Sequence, residues 1–193
     1  MKLFFLFLML CSGAAQADLF GDGIVAYKEG NYTQAAKLVR MAAEQGNSCA
    51  QFSLGVMYGE GQGVAKDYQE SVNWLRQAAD QGNPGAQFTL GLMYDNGQGV
   101  TQDYREAGKW YRQAAAKGNA KAQSNLGLLY YNGWGVAQDY LSAYMWFNIA
   151  VAKGNGNAQK NRDIAISHLS SEQLARAQEM AQICESSHYE KCE

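Results

Sequence analysis

The stretch Gly82–Lys117, GNPGAQFTLGLMYDNGQGVTQDYREAGKWYRQAAAK, recurs without gap or insertion 36 residues earlier at Gly46–Gln81 and 36 residues later at Gly118–Lys153. A fixed period of that length constrains the fold more tightly than any composition. Each repeat is one supersecondary element that can bury its apolar face only by stacking on its neighbours. The spacing of apolar residues inside the repeat is helical, so the chain is expected to be all-α, a stack of antiparallel helix pairs. Such a scaffold points to binding rather than catalysis and does not name the partner.

Within the repeat the residues assign their own places. Gly46, Gly82, Gly118 and Gly154 follow an apolar-periodic run and stop a helix. Asn47, Asn83, Asn119 and Asn155 come next as N-caps, with Pro84 at the favoured first helical position. The first helix carries Ala50, Leu54, Gly55 and Tyr58, repeated at Ala86, Leu90, Gly91, Tyr94 and Ala122, Leu126, Gly127, Tyr130. A mid-helix glycine costs about 1 kcal/mol against alanine, so its recurrence predicts close approach of the second helix. Loops of the form Gly-x-Gly-Val follow, the valine expected to plug into the core. Asp67, Asp103 and Asp139 then cap the second helix. Glu70 and Glu106 complete a capping-box spacing that Ser142 breaks. Trp74, Trp110 and Trp146 are the large knobs of that helix, at helical spacing from Ala78-Ala79 and their equivalents, and read as structural.

The remaining segments order around this array. Residues 1–17 read as a cleaved signal peptide: Lys2, an apolar run Leu3–Leu10 too short to span a bilayer, and Ala15-Gln16-Ala17 as the cleavage site. Lipidation at Cys11 is disfavoured by Leu10 before it. The mature chain is then periplasmic or secreted, with no membrane span after cleavage. Residues 18–45 are an atypical N-terminal helix pair turning at Gly30-Asn31. Residues 46–81, 82–117 and 118–153 are the three full repeats. Residues 154–193 are a degenerate repeat, a helix over 157–168, and a capping helix begun by Ser170 with Gln173 in capping-box spacing. Cys184 and Cys192 close a short loop and are expected to form a disulfide suited to an oxidising compartment. Cys49 is the leftover, expected as an exposed free thiol or one half of a mixed disulfide with a partner.

The patterns A-Q-x-x-L-G-x-x-Y-x-x-G-x-G-V-x-x-D-Y and W-x-x-x-A-A-x-x-G-N resemble the Sel-one-like repeat (SLR) family, relatives of tetratricopeptide repeats with 36-residue units. The resemblance is strong over Gly46–Asn155 and weaker over the rest of the mature chain. It implies a right-handed α-solenoid whose first helices line a concave surface. It also implies an adaptor in protein–protein contacts, often in the bacterial envelope. Some members bind peptidoglycan or penicillin-like compounds. The cysteine-rich secreted members carry a cysteine pair in each repeat, and this sequence departs from them there.

Composition removes several other classes. Apolar residues make up 47% and charged residues 18%, with a net charge of −2 and no basic run, which leaves no electrostatic footprint for nucleic acid or anionic membrane. No S-x-x-K motif occurs. The Gly-x-Gly loops follow no strand and precede no Gly-Lys-Ser/Thr, so they are not nucleotide sites. His188 with Cys184 and Cys192 supplies only three metal ligands and competes with the disulfide; His168 reads as a surface residue at a helix end. No catalytic residue, cofactor or metal is assigned. Binding is sought where the repeats disagree at one register. Phe52 and Phe88 become Ser124; Gly59, Asp95 and Tyr131 share a position; Gln62 and Gln98 become Trp134. Phe52, Phe88, Asp95, Tyr131 and Trp134 are therefore the candidate binding residues. Trp134 reads either as a partner anchor or as folded onto its own repeat. The expected function is a non-enzymatic scaffold for a protein or peptide, possible cell-wall peptides included. The alternatives are a peptidoglycan-binding module or a weak β-lactam-binding or -hydrolysing protein. The oligomeric state is open.

Overall fold

The computed structural model describes residues 17–190 and residue 192; the leader and Cys11 lie outside them. The described residues are all-α, with no strand. The chain divides into two compact units, Met1–Met93 with Gly97–Thr101, and Tyr94–Asn96 with Gln102–Glu193. The first unit holds α1 (Ala17–Lys28), α2 (Tyr32–Glu44), α3 (Ser48–Glu60), α4 (Tyr68–Asp80) and most of α5 (Pro84–Asn96). The second takes the last three residues of α5 with α6 (Tyr104–Ala115), α7 (Ala120–Asn132), α8 (Tyr140–Ala152), α9 (Gly156–Ile166) and α10 (Ser171–Ser186).

The helix boundaries fall where the repeat places them. Gly46, Gly82, Gly118 and Gly154 have φ of 86°, 84°, 76° and 83°, a region that only glycine enters at little cost. The asparagine after each accepts from the first backbone N–H groups of the next helix: Asn47 from Cys49 and Ala50 at 3.0 Å, Asn119 from Lys121 and Ala122. Two residues thus end one helix and begin another.

The junction is also clamped by a residue whose role the sequence pattern does not reveal. Gln51, Gln87 and Gln123 are buried, and each donates its side-chain N–H to the carbonyl of Ala43, Ala79 or Ala115, at 3.2, 3.1 and 3.2 Å. Those carbonyls sit in the last turn of the preceding helix and also accept the N–H of the stop glycine, Gly46, Gly82 or Gly118, at 2.9, 2.8 and 2.9 Å.

The second helix of each pair begins differently from expectation. Asp67, Asp103 and Asp139 do cap α4, α6 and α8 through their carboxylates. The reciprocal half of a capping box at Glu70 and Glu106 is absent, because the N–H of each cap residue is already given to the carbonyl of Tyr58, Tyr94 or Tyr130 at 3.0, 2.9 and 2.9 Å. Glu106 pairs with Lys109 instead. The capping box expected at Ser170 and Gln173 is formed.

Packing explains the glycines inside the first helices. A Cβ on Gly55 would lie 2.7 Å from Leu75 Cγ on α4, and one on Gly127 would lie 2.7 Å from the Phe147 ring on α8. The second loop glycines are fixed by backbone instead: a Cβ on Gly63 would sit 1.9 Å from the Tyr32 carbonyl oxygen.

In the first unit Phe20, Val39, Leu54 and Met57 are buried with small alanines between them, and Val64 and Trp74 pack against that cluster. In the second, Tyr144, Phe147 and the alanines at 143, 150, 158, 165 and 177 form the core, which α10 covers with Leu174 and Ala177. Trp146 is buried and Trp110 half-buried.

Cys184 and Cys192 are disulfide-bonded, their Cα atoms 4.5 Å apart. The bridge holds Tyr189 in a left-handed conformation, φ 69°, with its ring 3.6 Å from where a Cβ on Gly118 would lie. Cys49 is a correction. It is buried at 8% exposure and is itself disulfide-bonded, so it is neither exposed nor a free thiol. Its position is buried because Asn83 reaches over it, Nδ2 to Sγ 3.9 Å, and the equivalent Gly85 packs under the Phe52 ring.

Candidate functional site

One register of the repeat is built three ways. Leu75, Tyr111 and Phe147 share a place on the second helix; Gly59, Asp95 and Tyr131 share one near the end of the first; Thr89, Asn125 and Asn161 share one on the first helix of the pair that follows. At the first of these, Leu75 is fully buried against Gly55. At the second, the Tyr111 hydroxyl donates to Asp95 at 2.9 Å and accepts from Asn125 Nδ2 at 3.1 Å. Burial, then the neighbouring Asp95 carboxylate, pushes the Tyr111 phenol above its ordinary range, so it stays a neutral donor.

At the third, phenylalanine has no hydroxyl and tyrosine has replaced aspartate. A cavity of about 130 Å³ opens there, lined by Leu128, Tyr131 and Asn132 of α7, Phe147 of α8, and Asn161 and Ile164 of α9. No charged side chain lines it. Asn132 Nδ2 donates to the Leu128 carbonyl at 2.9 Å. The Asn161 side chain, half-buried on α9, makes no hydrogen bond among the described residues. Ile164 is 52% exposed, so the cavity is open on that side.

Tyr131 is held from behind. Its hydroxyl and His168 Nε2 are 3.1 Å apart, and the His168 ring stacks on Tyr140 at 4.3 Å and 12°. Tyr131 meets Tyr140 edge-on at 5.3 Å. His168 is thus exposed, as expected, but it also buttresses a wall of the cavity.

The other candidate residues are placed as follows. Trp134 is 45% exposed and stacks at 5.2 Å and 23° on Tyr104, a residue of the preceding repeat rather than of its own. Asp95 is committed to Tyr111. Phe52 is half-buried over Gly85, and Phe88 is half-buried in its own helix. Only Tyr131 of the five lines the cavity. The residues that join it there, Leu128, Asn132, Phe147, Asn161 and Ile164, are legible only when the register comparison is extended to the second helix and past Asn155.

The Sel1 repeat profile matches residues 13–47, 50–83, 84–119 and 120–155. A solved Sel1 repeat protein from Oxalobacter formigenes is 36% identical, with a TM-score of 0.72, over 77% of this chain and 59% of that one. A protective antigen of uropathogenic Escherichia coli strains with an SLR fold is 30% identical, with a TM-score of 0.62, over 91% of this chain and 46% of that one. A Helicobacter pylori protein named as a candidate β-lactamase, HcpC, is 40% identical over 62 residues. The chain spans about a fifth of the length of the curated relatives it matches. With four matched repeats over most of its length and solved relatives of the same all-helical build, this chain belongs to the Sel1 repeat family.

Proposed function

We propose that this chain is an exported, non-enzymatic scaffold that binds a protein or peptide partner through the face formed by the first helices of its pairs, the concave face of such a stack. One observation carries the reading. Caps, stops, clamping glutamines and sockets repeat in register, whereas the positions of Asp95 and Tyr131 diverge, and at Tyr131 the divergence leaves an open, uncharged cavity. Residues used by the fold recur; a recess that the fold does not use is free for a ligand. The Cys184–Cys192 bridge and the leader-like residues 1–17 support an oxidising compartment, periplasmic or external.

The test is crosslinking and affinity capture from periplasmic extract with wild type and a Tyr131→Ala/Trp134→Ala variant, followed by titration of the purified captured protein. The variant is expected to keep its helical content and lose the partner; equal capture by both would refute the assignment of this face. The name of HcpC supplies the reading to set against it. Turnover of a chromogenic β-lactam that one point substitution abolishes would overturn the non-enzymatic role.

A further inference from the structure

We propose that the cavity between α7, α8 and α9 receives one aliphatic side chain of an extended peptide, and that the Asn161 amide reads the peptide bond beside it. This deepens the scaffold reading and rests on it. The chain contains its own reference for the site. At the equivalent register the Tyr111 hydroxyl occupies the space between Asp95 and Asn125 and satisfies the Asn125 amide. At Phe147 that hydroxyl is missing, Tyr131 stands in place of the carboxylate, and Asn161 is left without a partner among the described residues. What the protein supplies internally at one register it leaves open at the next.

The chemistry of the occupant follows from the walls. Leu128, Phe147, Ile164 and the Tyr131 ring are apolar, and about 130 Å³ is close to the engineered apolar cavities of roughly 150 Å³ that take a benzene-sized group. A valine, leucine or isoleucine side chain is of that scale. Of the two cations that flank Asn161, Arg162 is turned to Asp163 at 3.1 Å and Asn148 at 3.4 Å, and Lys160 is exposed and does not line the cavity. A lysine or glutamate entering the recess would thus be desolvated without an opposite charge. An asparagine amide sets an NH₂ donor group and a carbonyl acceptor in one plane, the complement of the C=O and N–H of a peptide group. Its unmet pair at the mouth favours a peptide over a purely apolar ligand.

The test uses the full mature chain and two blocked amino acids, N-acetyl-leucine methylamide and N-acetyl-lysine methylamide, titrated by NMR. The leucine probe is expected to bind in the millimolar range and shift the Leu128 and Ile164 methyls and the Asn161 side-chain amide; the lysine probe is expected to bind at least about tenfold more weakly. Phe147→Tyr should place a hydroxyl in the recess within reach of Asn161, as Tyr111 does for Asn125, preserve the melting temperature, and abolish leucine binding. Asn161→Asp removes the donor, leaves the core untouched, and should weaken the leucine probe by about tenfold. Equal shifts from both probes, or wild-type leucine affinity in Phe147→Tyr, would overturn the ligand assignment. If Phe147→Tyr binds leucine like wild type while Tyr131→Ala/Trp134→Ala loses its partner, this assignment falls and the scaffold reading stands. If the probe behaves as expected while that variant captures normally, the reverse holds.

Discussion

The bridge made by Tyr111 is the most exacting test of how the repeats differ. In Tyr111→Phe the ring stays in its fully buried site and only the hydroxyl goes. Two bonds are lost, one to the Asp95 carboxylate at 2.9 Å and one from Asn125 at 3.1 Å. The first is charge-assisted and the second leaves a half-buried amide to find water, so the loss should be about 2 kcal/mol. For a chain of this size that is roughly 4–8 °C of melting temperature. Asp95→Asn in the same background should give a double-mutant coupling of about 1 kcal/mol or more, since the two groups touch.

The same group gives a pH arm. Its folded pKa is raised above the unfolded value near 10, chiefly by burial and then by Asp95, so the folded chain holds the phenolic proton more tightly than the unfolded one. The contribution is full below about pH 10 and is lost as pH rises toward the folded value, by up to about 1.4 kcal/mol per pH unit. Denaturant unfolding of wild type and Tyr111→Phe from pH 8 to pH 11 should therefore show their stability gap narrowing above pH 10. A gap below about 0.5 kcal/mol at pH 8, or one that does not change with pH, would refute the bridge as an energetic feature.

Two further outcomes follow from the packing. Gly127→Ala sets a helix-propensity gain of about 1 kcal/mol against a Cβ 2.7 Å from the Phe147 ring, an overpacking cost of about 1–3 kcal/mol, and should lower the melting temperature. Gly59→Ala, whose Cβ would meet the Ser71 side chain at 3.2 Å (hydroxyl) and 3.8 Å (Cβ), should cost less than Gly127→Ala, and circular-dichroism melts separate the two. Replacing both Cys184 and Cys192 by serine removes a short-loop constraint of roughly 2–3 kcal/mol; hydrogen exchange should accelerate at Tyr189, whose N–H bonds the Cys184 carbonyl at 2.9 Å, while α7 and α8 keep their protection.

How much of this could be read from the sequence depended on whether a residue's job is local. Asn47 and Asp67 cap helices with their own side chains, and Gly46 stops one with its own backbone, so composition and spacing reveal them. The Gln51, Gln87 and Gln123 clamps bond a carbonyl eight residues back, across a turn, and the pattern shows only that they recur. The Glu70 box failed for a related reason. The Asp67 N–H that it would accept from is already given to the Tyr58 carbonyl, on a different helix of the pair, and spacing within one helix carries no sign of that. Burial of Cys49 depends on Asn83, from the next repeat, which its tolerance of Gly85 and Lys121 in register concealed.

The recess is the sharpest case. Nothing at Phe147 alone marks it as different from the other buried residues of α8. It becomes a site because two separate substitutions, Tyr to Phe and Asp to Tyr, fall around one point in space and leave the unchanged asparagine, Asn161, without its partner. A repeat protein supplies the comparison needed to see this, since each register is a small alignment of the chain with itself. The recurring residues of that alignment account for the stack, and the two positions where it breaks together are where binding specificity can change without unbuilding the fold.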